Sequence, residues 1–415
     1  MESPINPAVF RFLFHATVGS LSLATLYSVY HQKYVMSSSM RKPFNELRQK
    51  ALQAKDAAGT LDVLDTILAT LQSDAVKKQS ASRLSAMDHG AILVRLVKLE
   101  KDGSNAEVVS RALEALLRVY GPDAEGRSRL QQLGGYRTLL TSFSEAHRQG
   151  LEELLEAIAD ALKALTVVDD QEITLESDVP KGTEGVYALA TLPATVKMLR
   201  ILDPESPVLF LSALTGIFAN ITMLKIGAVN VGRGTDGHSG MSFFLRLLDH
   251  PNRSVVENCV LVIRFLCRAR VGQEELTEAE SVRRLAEHFA VNSDPNIINS
   301  IMTVILVMAG SDKYGEKFFR NFAETDMMNT LFELWVRSAD RGTRGRAETL
   351  CTVLERVKYT SEKARRLFQQ YAGQIQERQQ KDKAEYQRQT QQAQQNQMMQ
   401  RMMLEQMGVD PSMLG

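Results

Sequence analysis

Cysteine is scarce in this chain of 415 residues: Cys259, Cys267 and Cys351 are all it has. An odd, sparse set excludes a disulfide framework and suits a reducing compartment. Cys259 and Cys267 are eight residues apart on one helical face among apolar neighbours, which marks them as core thiols. No CxxC and no HExxH occurs, so the ligand spacing of a zinc site is missing. Walker A, GxSxG and kinase signatures are missing too. His238 and His250 stand beside turn residues without a nucleophile for a partner. No catalytic constellation remains, so the expectation is a non-enzyme with no cofactor and no metal. Net charge is also lacking, since Lys plus Arg and Asp plus Glu both total 49. That balance, with an acidic block along the chain, argues against nucleic-acid partners.

Charge is absent altogether from Phe12–Gln32, between Arg11 and Lys33. As a helix these residues reach about 30 Å, roughly one hydrocarbon core. Phe12, Leu13, Phe14, Val18, Leu21, Leu23, Leu26, Val29 and Tyr30 make it a candidate membrane anchor. Tyr27, Tyr30 and Tyr34 cluster where an aromatic belt sits. A cleaved signal peptide is the competing reading, with Ser20-Leu21-Ser22 or Ser22-Leu23-Ala24 as the cleavage site. The apolar run continues past both sites and only Arg11 precedes it, which favours the anchor. A buried helix of the following domain is the third reading; a helix uncharged on every face needs cover on every face. Lys33, Arg41, Lys42, Arg48, Lys50 and Lys55 follow, with Glu46 the only acid before Asp56. The positive-inside rule therefore places the rest of the chain in the cytosol.

Beyond a polar link at Met36–Lys42, apolar residues recur at helical spacing through Leu47, Leu52, Leu61, Leu64, Ile67, Leu68 and Leu71. A pattern then repeats about every 41–45 residues. His89–Val97 and Glu107–Leu117 form one pair of helices. Gly134–Leu140 and Leu151–Leu165 form the next. Asp169–Glu184, with six acids, Pro180 and Gly182, interrupts the array as a solvated loop. Leu192–Leu199 and Ser206–Thr222 resume it. Phe243–Leu248, a turn at Asp249–Arg253 and Ser254–Cys267 follow. Val282–Phe289 with Asn296–Ala309, and Met327–Trp335 with Gly345–Val357, complete it. Helical units at this period imply an α-solenoid. The longer helices are apolar around most of their circumference, through Leu209, Leu211, Leu214, Ile217, Phe218 and Ile221, and again through Val255, Val256, Val260, Leu261, Ile263, Phe265 and Leu266. Such helices are expected to be buried between units. Gly232-Arg233-Gly234-Thr235-Asp236-Gly237 is a literal GxGxxG, but helical repeats flank it, so it reads as a loop between them.

These repeats resemble the armadillo family in their Gly start, their LVxLL-like second helix and their third helix ending in an ALxxLxNL-like pattern. Leu245–Cys267 and Ala213–Ile221 carry the likeness best, and it spans roughly residues 85–360. The resemblance implies an all-α armadillo/HEAT-like α-solenoid that binds other proteins. Nuclear-import adaptors of this fold line their groove with recurring Trp and Asn. Here Trp335 is the only Trp and Asn220 the only good Asn match, so Asn220 is the candidate groove residue and nuclear-signal binding is not expected.

The expected organisation is an anchor (1–34), a basic link with leading helices (35–84), the repeats (85–360) and a Gln/Met-rich tail (361–415). Fifteen Gln lie between Gln369 and Gln406. The tail is either a disordered polar segment or a partner-binding amphipathic helix using Met399, Met403 and Met407. Charge is also patterned. Residues 1–55 are net +5, residues 100–185 net −8 and residues 333–388 net +5. Glu152 and Glu153 belong to the acidic block. They are candidates for steering basic peptides, although paired acids also serve as a solvated helix face. Anchor, basic link and armadillo array together resemble the armadillo-type preprotein receptors of the archaic outer-membrane translocase of kinetoplastid mitochondria. That resemblance implies a single-pass outer-membrane protein whose partners are mitochondrial precursors, other translocase subunits and the lipid bilayer. The alternative is an armadillo-like nucleotide-exchange factor of Hsp70, lumenal in the endoplasmic reticulum if the N-terminus is cleaved.

Overall fold

The computed structural model describes residues 40–54, 56–73, 81–167, 183–235, 237–291 and 294–406. Phe12–Gln32 with its candidate anchor residues, most of the acidic loop and Met407 lie outside these residues. Among the described residues no helix is long and apolar enough to cross a membrane.

The described residues are helical apart from turns and one isolated bridge between Thr235 and His238. The chain forms two compact units, Met1–Gly272 and Gln273–Gly415. In the first, α1 (Arg41–Arg48), a π-helical turn (Gln49–Ala54) and α2 (Ala57–Ser73) lead into three-helix repeats. These are α3 (Ala81–His89), α4 (Ala91–Leu96) and α5 (Ala106–Tyr120); then α6 (Ala124–Gln132), α7 (Gly135–Gln149) and α8 (Glu152–Leu165). Next come α9 (Glu184–Thr191), α10 (Pro193–Lys197) and α11 (Val208–Thr222), and then α12 (Lys225–Arg233), α13 (Gly240–Arg246) and α14 (Arg253–Leu266). Helix α15 (Arg270–Glu275) spans the unit boundary. The second unit continues with α16 (Ala279–Val291), α17 (Pro295–Ala309), α18 (Gly315–Ala323), α19 (Met327–Arg337), α20 (Arg341–Arg356) and α21 (Ser361–Gln406).

Local chemistry places the breaks. Gly134 and Gly150 adopt positive φ of 76° and 68° at the two ends of α7, where a side chain would be strained. In the later repeats the last helix starts at a side-chain cap: Asn252 accepts from the Ser254 and Val255 amides, Asp294 from Asn296, and Asp340 from Thr343. These caps recur at the repeat period. Several buried polar groups are paired. Arg83, almost fully buried, donates to both carboxylate oxygens of Asp123 at 2.6 and 2.8 Å and through Nε to the Val119 carbonyl. The Tyr120 hydroxyl donates to the Met87 carbonyl and that of Tyr136 to the Leu165 carbonyl. Burial pushes the Tyr120 phenol up to about 12. Cys259, Cys267 and Cys351 are all buried free thiols. Burial pushes Cys267 up to about 12, so it is inert at neutral pH.

Several expectations change. Arg41 and Lys42 are helical and Met40 is fully buried, so the described end of the link, Met40–Lys42, is part of the fold; Met40, Phe44 and Leu47 anchor α1. Leu52 falls on the π-helical turn and is exposed. The array resumes at Glu184, because α9 begins directly behind the acidic stretch and buries Val186 and Leu189. Leu209, expected in the core, is 66% exposed, and Leu261 is half-buried. The Gln-rich tail belongs to a helix that starts at Ser361. Its first part packs on α19 and α20 through Ala364, Leu367, Tyr371 and Ile375, and Phe368 meets Phe332 and Trp335. From Gln387 to Met399 every residue is exposed.

Candidate functional site

In the first unit α2, α5, α8, α11 and α14 stack side by side as a ladder, each packed on the next. Their apolar stripes are buried against neighbours, and one polar stripe of each stays open. Bonds between rungs tie it together. Asp65 pairs with Arg111 at 3.0 Å, tying α2 to α5. Ser212 and Ser254 hydroxyls meet at 2.9 Å, and the Asn258 amide donates to the Ser212 carbonyl and the Thr215 hydroxyl, tying α14 to α11.

Asn220 lies on this face, half-buried. Its amide donates to the Thr166 hydroxyl at 3.0 Å, tying α11 to the end of α8. A neighbouring rung therefore takes one of its donor hydrogens, and its carbonyl oxygen accepts no hydrogen bond among the described residues. Glu152 and Glu153 are exposed in the first turn of α8, where carboxylates complement the helix dipole. Glu156 and Asp160 continue the same face at helical spacing, so α8 presents four acids. At its far end Lys163 bends over α11: a Cβ on Gly216 would stand 2.8 Å from the Lys163 Cε, so the bare glycine gives that stem its path. Helix α11 carries no charge; Val208 and Leu209 are exposed at its start, and Ser212, Gly216 and Asn220 follow at helical spacing. Helix α14 carries mixed charge, with Arg253, Glu257 and Arg264, and Arg268 follows its end. The Arg264 and Arg268 guanidiniums stand 5.6 and 5.1 Å from the Phe265 ring centroid. The face thus runs from acidic on α8 through uncharged and apolar on α11 to mixed charge on α14.

Met399 and Met403 are exposed one turn apart on α21, in the second unit. The structure brings Glu152 and Asn220 onto one ladder and leaves the methionines on another element. Sequence reasoning did not find Leu209, Lys163 with Gly216, or the bonds between rungs. The available signal was a polar residue returning at the repeat spacing inside apolar helices, as Ser212, Asn258 and Asn299 do. The GxGxxG stretch carries positive φ at Gly234 and Gly237 between α12 and α13. The Thr235 and His238 amides and carbonyls bond each other.

Against solved structures, the chain is similar over 80% of its length to 71% of a chain from work on the phosphorylation switch controlling the interaction between cadherin and beta-catenin, with a TM-score of 0.51 and 14% identity. The fold is an armadillo-repeat solenoid. The chain is also similar over 63% of its length to 98% of a designed armadillo repeat protein in complex with the peptide (KR)4, with a TM-score of 0.49 and 15% identity. No protein-family model matches the chain, and no curated protein matches it. In the armadillo frame α8, α11 and α14 are third helices, and the ladder face is the surface that successive third helices build.

Proposed function

We propose that this chain is a membrane-anchored receptor whose third-helix ladder docks segments of other proteins, with precursors bound for mitochondria as clients. The observation that carries the reading is the meeting of α8 and α11. Glu152, Glu153, Glu156 and Asp160 stand beside an uncharged helix that exposes Leu209. A segment with basic side chains on one side and apolar ones on the other fits that pair of rungs, which is the character of a mitochondrial presequence. The charge-free Phe12–Gln32 and its basic flank support a membrane anchor with the ladder in the cytosol, and the outer mitochondrial membrane comes from the resemblance to the armadillo-type preprotein receptors. Other translocase subunits are natural further partners. The reading is of a binding protein with no catalytic step.

The test is a titration of the chain with a basic amphipathic peptide and with an uncharged apolar peptide, at low and high salt. Contacts between exposed charges fade beyond a Debye length of about 8 Å at physiological ionic strength. Binding of the basic peptide should weaken steeply with salt and with Glu156→Lys plus Asp160→Lys, while that of the apolar peptide should not. Salt-independent binding of the basic peptide, or none at low salt, contradicts the electrostatic part of the reading. Release of the protein from carbonate-washed membranes with a new N-terminus near Thr25 contradicts the anchor and favours the lumenal exchange factor.

A further inference from the structure

The second unit carries a surface that the proposed receptor activity does not use, and its sign is opposite to that of α8. Helix α20 buries Thr343, Arg344, Ala347, Leu350, Cys351 and Leu354. Gly342, Gly345, Thr349 and Thr352 form its exposed strip at helical spacing. Arg341 and Arg346 flank that strip and Arg356 closes it about 22 Å along the helix. None of these three arginines has a carboxylate within ion-pair distance among the described residues. Arg341 stands over the Tyr386 ring at 6.0 Å, and Arg346 reaches only the Asn299 carbonyl, at 3.5 Å. Of the acids of α21, Glu362 pairs with Arg366, Glu377 with Lys381, and Asp382 with Arg344 and Arg378, while Glu385 is exposed next to Tyr386. Residues 333–388 keep a surplus of five positive charges.

The floor of the strip is bare without an internal reason. A Cβ on Gly345 would meet nothing within 4 Å, and one on Gly342 only the Asp340 carboxylate. Each interior glycine costs a helix about 0.5–1 kcal/mol relative to alanine. The packing of this chain does not require the space that Gly345 leaves, whereas close approach of a partner's backbone does.

We propose that this face of α20 docks an acidic segment of a partner protein. Guanidiniums match carboxylates with two parallel hydrogen bonds, so flanking arginines select spaced acidic side chains. Glu348 and Glu355 lie half-buried along one edge of the strip. They repel a continuous phosphate chain or an anionic bilayer, while a peptide with separated carboxylates threads past them. The surface is independent of the α8 row, so either can fail without the other.

The test is fluorescence anisotropy of a labelled short peptide of alternating glutamate and alanine against the full-length chain at low salt. Saturable binding is expected. Arg346→Glu with Arg356→Glu should weaken it about tenfold or more, since each exposed pair becomes a repulsion. Gly345→Leu should weaken it severalfold by filling the strip. It should leave thermal melting unchanged or raised, because the added side chain stands in open space. Gly373→Leu, equally unobstructed but on α21, and Glu156→Lys with Asp160→Lys should leave the peptide's affinity as it was. The proposal is overturned by an absence of saturable binding, by affinity indifferent to the arginine reversals, or by displacement of the peptide by polyuridine RNA or phosphatidylserine vesicles at lower concentration than by unlabelled peptide.

Discussion

Arg83 and Asp123 show what single residues contribute. The guanidinium is buried and the carboxylate both pairs with it and caps α6 through the Gly126 amide. Without Arg83 the Asp123 carboxylate, 32% exposed, keeps water and its cap on α6 but loses its charge-assisted hydrogen bonds, a loss that costs about 1.5–3 kcal/mol. Arg83→Ala should therefore lower the denaturation free energy of the first unit by about 2 kcal/mol in a urea titration. A loss of a few tenths would show that the pair is not coupled to the fold. The Arg83 hydrogen bonds hold the Asp123 carboxyl below the ordinary carboxylate range. For a depressed carboxylate the stabilisation is complete above the unfolded value and is lost as pH falls through the folded one. The difference between wild type and Arg83→Ala should thus be full at neutral pH and shrink as pH falls below that range. Residue roles were only partly legible in the sequence. Asn220 stands out as the match to the groove asparagine of armadillo repeats, but its bond to Thr166 spans 54 positions and has no local signal. Leu209 reads like its neighbours; only the position of the next rung decides whether such a leucine is covered.

At the scale of elements, the third helices were legible because their apolar period is long and because α14, α17 and α20 are capped by an ordinary Asn or Asp. Helix α9 was not, since Glu184 closes an acidic run and the eye assigns it to the loop. Helix α21 misled in the opposite way: composition changes at Gln369, while burial continues to Ile375 and the Asp382 bridge to Arg344 ties it at 3.0 Å. Composition reports what a helix shows to solvent, and a helix with one narrow buried stripe looks like a tail. The exposed span beyond Tyr386 should then contribute no stability. Ending the chain after Tyr386 should leave the melting temperature within about 2 °C, whereas ending it after Gln370 should lower it by removing Tyr371, Ile375 and Asp382. Equal melting of the two truncations would mean that α21 does not pack as described.

For the whole molecule, the repeat period and the sign of each charge block were readable from the chain, and fold class followed from the period. Identity of 14% with a solved armadillo-fold chain shows why more was not. A solenoid constrains where apolar residues recur and leaves their identities free, so the pattern survives where motifs do not. The role of Phe12–Gln32 remains a sequence reading, and it has a direct consequence. Because α1 and the repeats have their own buried cores, a chain starting at residue 35 should stay in the supernatant of a high-speed spin with the helical circular dichroism of the full chain. Recovery of that truncated chain in the membrane pellet would show that attachment lies elsewhere.

The central claim is that the α8–α11 rungs receive the client. Leu209 offers the most direct probe, since at 66% exposure it can be replaced without opening the core. A photoreactive benzoylphenylalanine at Leu209, and separately at Val291, which is 81% exposed on α16 in the second unit, would be irradiated in membranes supplied with a presequence-bearing precursor. The account predicts a crosslink to the precursor from Leu209, lost with Glu156→Lys plus Asp160→Lys, and none from Val291. Crosslinking from Val291 as strong as from Leu209, or none from Leu209 while the precursor is bound, would contradict it.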